Sequence, residues 1–155
     1  LLESTQVCLL LLSLVITIHT ALDRVRQDKI ISIVLSIALF GILLREIDIE
    51  DFNIPMWIIV IGSGAGRTLL LSIMLAPVLL FIVVKYQQYY GLVKKYFLSQ
   101  VGLSLILSFC LLLIGSMFEH EYLLSRTLIE ESFELIAYGL FFRAVFTMSQ
   151  SEIKV

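Results

Sequence analysis

What most constrains this chain is a succession of apolar runs, each about as long as a bilayer is thick, separated by short charged connectors. Residues 67–84, RTLLLSIMLAPVLLFIVV, carry a single ionisable side chain. At ~1.5 Å per residue such a helix is ~27 Å long, close to the ~30 Å hydrocarbon core. Composition agrees: 59% of the 155 residues are hydrophobic, 15% are charged and the mean hydropathy is +1.01. Soluble domains carry about 25% charged residues. The chain therefore reads as all-α, a polytopic membrane helix bundle in one domain over residues 1–155. A net charge of −2 argues against a nucleic-acid partner. Glu3 replaces the basic start of a signal peptide, and no small-residue cleavage site follows His19, so the first run is expected to stay as a span. Cys8 and Cys110 lie inside spans with no metal-binding spacing, and are expected to pack as small apolar residues.

Five spans are predicted. The first runs from Gln6 to Leu22 and the second from Ile30 to Leu44, with a last turn reaching Arg45 and Glu46. Met56 to Val84 is too long for one upright span, at ~43 Å as a helix. Either it is one tilted helix bent at Pro77, or residues 57–66 lie in the interface and the span starts at the Gly-rich stretch, near Gly66. KYQQYYGLVKKYF, residues 85–97, reads as an amphipathic interfacial segment. The fourth span covers Leu98 to Phe118 and the fifth Ile129 to Met148.

Lys and Arg mark cytoplasmic loops. Arg24, Arg26 and Lys29, then Lys85, Lys94 and Lys95, and finally Lys154 fall on one side of a five-span topology. This predicts a periplasmic N-terminus and a cytoplasmic C-terminus. Glu3, Glu46, Asp48, Glu50, Asp51, Glu119, Glu121, Glu130, Glu131 and Glu134 then share the opposite face with His120; they are ten of the thirteen acidic residues. Orientation does not require that asymmetry, since acids contribute little to it.

The candidate site residues lie on that face. Thr127 and Glu130 fit a capping box for the last helix, and Glu131 favours its positive end. Glu134 lies one turn deeper, on the same face as Glu130, Glu131 and Tyr138, and an ionisable group at such depth is a functional candidate. Arg45 complements the negative end of the second helix, with Glu46 and Asp48 beside it. GSGAGRT, residues 62–68, lacks the Lys-Ser/Thr ending of a nucleotide-binding loop. Gly64, Gly66 and Arg67 could instead hold an anion such as a lipid phosphate at a helix start. Glu119, His120, Glu121 and Glu131 could supply oxygen and nitrogen ligands to a divalent metal. Haem is not expected, because His19 and His120 fall at opposite membrane faces.

Arg45, Glu46 and Asp48 after one span, with Glu130, Glu131 and Glu134 opening the last, resemble the pattern of small uncharacterised bacterial inner-membrane proteins. The resemblance implies an inner-membrane location with the acidic face toward the periplasm, and no particular activity. Arg67, midway along an apolar stretch, is expected to pair with Glu134, or else with Glu46 or Asp48. Three functions fit. One is a membrane subunit or binding module whose acidic periplasmic face docks a lipid headgroup, another membrane protein or a second copy. Another is a membrane enzyme acting on a lipid-linked phosphate through Glu134, Glu131, His120, Glu46 and Asp48. The third is a component of proton or cation transport.

Overall fold

A computed structural model describes residues 2–23, 29–47, 55–118 and 124–150, with the side chains in those segments other than 118 and 124–127. Every regular element among them is a helix: α1 Leu2–Leu22, α2 Lys29–Glu46, α3 Met56–Gly62, α4 Gly64–Val84, α5 Tyr86–Phe97, α6 Gln100–Phe118 and α7 Leu124–Gln150. Among the described residues three helices are long and apolar enough to cross a membrane: Leu2–Leu22, Gly64–Val84 and Gln100–Met117. The segments expected to be the second and fifth spans are helical, as α2 and α7, but they are not among these three, and charge sets them apart. α2 has 18 residues and includes Lys29, Arg45 and Glu46. α7 has 27 and includes Glu130, Glu131, Glu134 and Arg143.

α7 packs between α1 and α6, α1 also packs on α2, and α2 carries α4 on its other side. Leu10, Leu39, Leu43, Tyr138, Phe141 and Val145 form the shared core of α1, α2 and α7. Polarity runs inside out. The buried face of α1 is Gln6, Leu10, Ser13, Thr17 and Thr20, while Val15 and Leu22 are 62% and 73% exposed. In water that arrangement would be costly on both faces; in lipid it is the expected one, because apolar side chains lose nothing outside and small or hydrogen-bonding residues draw helices together inside. The buried hydroxyls are satisfied within their own helix: Ser13 donates to the Leu9 carbonyl, Thr17 to Ser13 and Leu14, and Thr20 to Ile16. Between helices, Ser108 of α6 donates to the carbonyl of Ala137 on α7 at 2.7 Å. Cys8 and Cys110 are on outer faces rather than packed inside.

The long third segment is broken, at Ser63. Ser63 is extended (φ −113°, ψ 158°) and Gly64 has φ +45°, a conformation costly for any residue with a side chain. Two residues on, α3 folds back so closely that a methyl at Gly66 would run into the Val60 carbonyl. Those two glycines therefore build the α3–α4 corner, and α4 continues through Pro77 as one helix. α5 is the expected amphipathic helix, with Lys94 and Lys95 in its last turn. Tyr96 is its buried residue, and its hydroxyl donates to Met148 Sδ at 2.9 Å. α7 starts at Leu124, ahead of the predicted boundary, so Thr127 lies within the helix and is not its N-cap.

Candidate functional site

The N-terminus of α1, the C-terminus of α2 and the N-terminus of α7 meet at one end of the bundle. The last turn of α2 places Arg45 and Glu46 there, where the apolar run of that helix gives out. α7 presents Glu134 and Tyr138 one turn apart, so both face α2. Arg45 Nη2 is 3.5 Å from Glu134 Oε1, and the Tyr138 hydroxyl donates to Glu46 Oε1 at 2.8 Å. Gln6 of α1 adds a third link, its Nε2 donating to the Glu131 backbone carbonyl at 3.1 Å. Tyr138 is 1% exposed and Glu134 8%, so both bonds form against a dry background. Gly115 of α6 lies over Phe133 and Glu134 from the other side.

The expected pair between Arg67 and Glu134 is not formed, nor is one to Glu46. Glu134 takes Arg45 and Glu46 takes Tyr138. The reason is which helices touch: α4 packs on α2, α3 and α5, whereas Leu39 and Leu43 of α2 share a side-chain core with Tyr138 and Phe141 of α7. Arg45 reaches Glu134 from α2, whereas Arg67 stands on α4. Among the described residues no carboxylate lies within ion-pair distance of Arg67, which is half-buried, its backbone N–H donating to the Ser63 carbonyl at 3.1 Å. Its level is nonetheless that of Arg45. Leu71 of α4 faces Gly41 of α2, and these helices run in opposite directions, so one turn on from that contact brings Arg67 and Arg45 to the same end.

Of the other candidates, Asp48, Glu119, His120 and Glu121 lie outside the described residues. Glu131 is half-buried on α7 beside Glu134 and contributes its backbone carbonyl to Gln6. Among the described residues no group of three His, Cys, Asp or Glu side chains is placed to hold a metal. Gly64 and Gly66 serve the α3–α4 corner, and Arg67 follows directly upon it.

Two contributors escaped the sequence reading. Arg45 was expected only to complement the end of its own helix, and Gln6 was not singled out. A signal for Gln6 was present: Gln6, Ser13, Thr17 and Thr20 recur at steps of seven, four and three residues along α1 and mark one polar stripe. Nothing in the sequence distinguishes Arg45 from Arg67 as the partner of Glu134, since both follow from the same depth and charge.

Chemically, the cluster is a polar lock. Glu134 and Glu46 each hold a hydrogen-bond donor from another helix, and with the Gln6 bond the result ties α2 to α7 and α7 to α1. No family model, curated protein or solved structure matches this chain. The fold and the cluster define its class: an all-helical protein with helices able to span a membrane, tied together by buried polar contacts.

Proposed function

We propose that this protein is a small integral membrane subunit or binding module, in which the α1–α2–α7–α6 bundle is the scaffold and the Arg45 end docks a protein partner or a lipid headgroup. One observation carries this reading: the buried Glu134 and the half-buried Glu46, the acids best placed for chemistry, are bonded to Arg45 and Tyr138 and so hold helices together. Arg67 lies at the same end with no anion beside it among the described residues, on a helix none of whose 21 residues is buried. A half-buried guanidinium at membrane depth is a costly feature to keep unless a partner neutralises it.

In this proposal α2 and α7 also cross the membrane, giving five spans. Lys29, Lys85, Lys94 and Lys95 then gather at the cytoplasmic end, and the N-terminus faces the periplasm of a bacterial inner membrane. In support, Lys29 shares a recess with Gln88 and Tyr89 of α5, which puts these lysines at one end and Arg45 at the other. The transport reading has less support, because the buried hydroxyls of α1 donate to their own helix rather than forming a chain across the bundle.

Two measurements test the proposal. Single cysteines placed at positions 45 and 95, in a chain with Cys8 and Cys110 replaced by serine, should label from the periplasmic and the cytoplasmic side respectively. A photo-crosslinker at position 67 in native membranes should yield one discrete adduct. Phosphate release from a polyprenyl pyrophosphate by the purified protein, lost on Glu134→Gln, would replace the docking function with the enzymatic one.

A further inference from the structure

Along most of α2, and ending one turn short of Arg45, α2, α5 and α6 enclose a groove of about 580 Å³ whose walls are almost wholly apolar. α2 lines it from Ile30 to Ile42, and α6 faces it with residues such as Leu105 and Ile106. At Ile30 the groove meets a second recess, of about 510 Å³, bounded by Lys29, Gln88 and Tyr89. Phe81 also lines that recess, and the Lys85 ammonium stands 5.0 Å from the centroid of its ring. An apolar trough thus opens into a mouth carrying two ammonium groups, an amide and a phenol.

Dimensions and charge together suggest the occupant. The twelve helical steps from Ile30 to Ile42 rise ~18 Å, against ~15 Å for one leaflet of hydrocarbon. The trough is therefore as long as one acyl chain drawn from the leaflet at the Lys29 end. Its mouth lies where a headgroup would, and the charge there is positive. A zwitterionic lipid would bring a choline cation along with its phosphate to a mouth that is already positive, whereas an anionic lipid brings net negative charge. A helix of a second copy would set apolar side chains against Lys29, Gln88 and Lys85.

We infer that this groove and its basic mouth form a binding site for an anionic phospholipid, with an acyl chain between α2 and α6 and the phosphate between Lys29 and Lys85. The basic mouth of the site lies at the opposite end of α2 from Arg45, and the proposal does not depend on what docks at Arg45. Lysines near an anionic headgroup contribute on the order of fivefold each in affinity, so removing both weakens binding about twenty-five-fold.

The test is native mass spectrometry of the full chain in a non-ionic detergent, titrated with phosphatidylglycerol or with phosphatidylcholine of the same chain lengths. Phosphatidylglycerol should bind one to one and more tightly than phosphatidylcholine. K29Q/K85Q should remove that preference, while K94Q/K95Q, on the same helical segment but away from the mouth, should keep it. Ile106→Trp, which fills the trough from an exposed position, should weaken both lipids while circular dichroism stays native. Equal affinity for the two lipids, an equal loss in K94Q/K95Q, or undiminished binding in Ile106→Trp would each overturn the proposal. So would a lipid-free dimer dispersed by Ile106→Trp, which would assign the groove to a second copy.

Discussion

Removing Arg45 should destabilise the protein, and removing Glu134 as well should restore part of the loss. In Arg45→Ala the Glu134 carboxylate keeps its place, with a side chain only 10% exposed, and loses its cation. Breaking a fully buried ion pair costs about 3–5 kcal/mol, chiefly through the charge left behind. Two features reduce that figure. The Arg45 side chain is 43% exposed and the N–O separation is 3.5 Å, long for a charge-assisted bond. We therefore expect about 2 kcal/mol for Arg45→Ala, roughly a thirtyfold shift in the unfolding equilibrium. Glu134→Gln keeps the shape and removes the charge, and should cost under about 1 kcal/mol. The double variant should be about 1 kcal/mol more stable than Arg45→Ala alone, because no unpaired anion remains. Unfolding in mixed micelles of rising sodium dodecyl sulfate fraction, followed by far-UV circular dichroism, measures all three. If the double variant is no more stable than Arg45→Ala, or if Glu134→Gln costs as much as Arg45→Ala, the pair is not what joins α2 to α7.

The same unfolding assay serves for further predictions. Tyr138→Phe deletes the 2.8 Å bond to Glu46 and leaves that carboxylate short of a donor, so a loss of about 1–2 kcal/mol is expected. Ser108→Ala removes the bond to the Ala137 carbonyl and should cost about 0.6 kcal/mol, the usual scale for polar contacts between membrane helices. Gly66→Ala forces a methyl against the Val60 carbonyl and should open the α3–α4 corner, seen as protease cleavage near Ser63, whereas Gly91→Ala, which meets open space, should not. Replacing Cys8 and Cys110 by serine on outer faces should change stability by under about 0.5 kcal/mol.

Much of the architecture was legible because helices in lipid announce themselves by length. The extension of α2 to Arg45 and Glu46, the interruption near the glycines and the amphipathic α5 all follow from local chemistry: where charge begins, where φ turns positive, where lysines and tyrosines alternate with apolar positions. The start of α7 did not follow. A Ser/Thr-x-x-Glu spacing signals a cap only if the preceding residues leave the helix, and Leu124, Ser125 and Arg126 stay in it. The outward placement of Cys8 and Cys110 was missed because the outside of these helices is as apolar as the inside.

That last point governs the candidate site too. Depth and charge are properties of the chain, so Glu134 and the two arginines stood out as residues that need partners. Partner choice depends on which helix stands next to which, and apolar periodicity does not encode this when lipid and core attract the same side chains. The bundle packs α7 on α1 and α6 and α4 on α2, and α2 meets α7 through side chains, so Glu134 went to Arg45 while Arg67 was left apart from the pair. Helix extents come from backbone chemistry acting over a few residues; the pairing of charges comes from contacts between residues some ninety positions apart, Arg45 with Glu134 and Glu46 with Tyr138, which exist only once the bundle has closed.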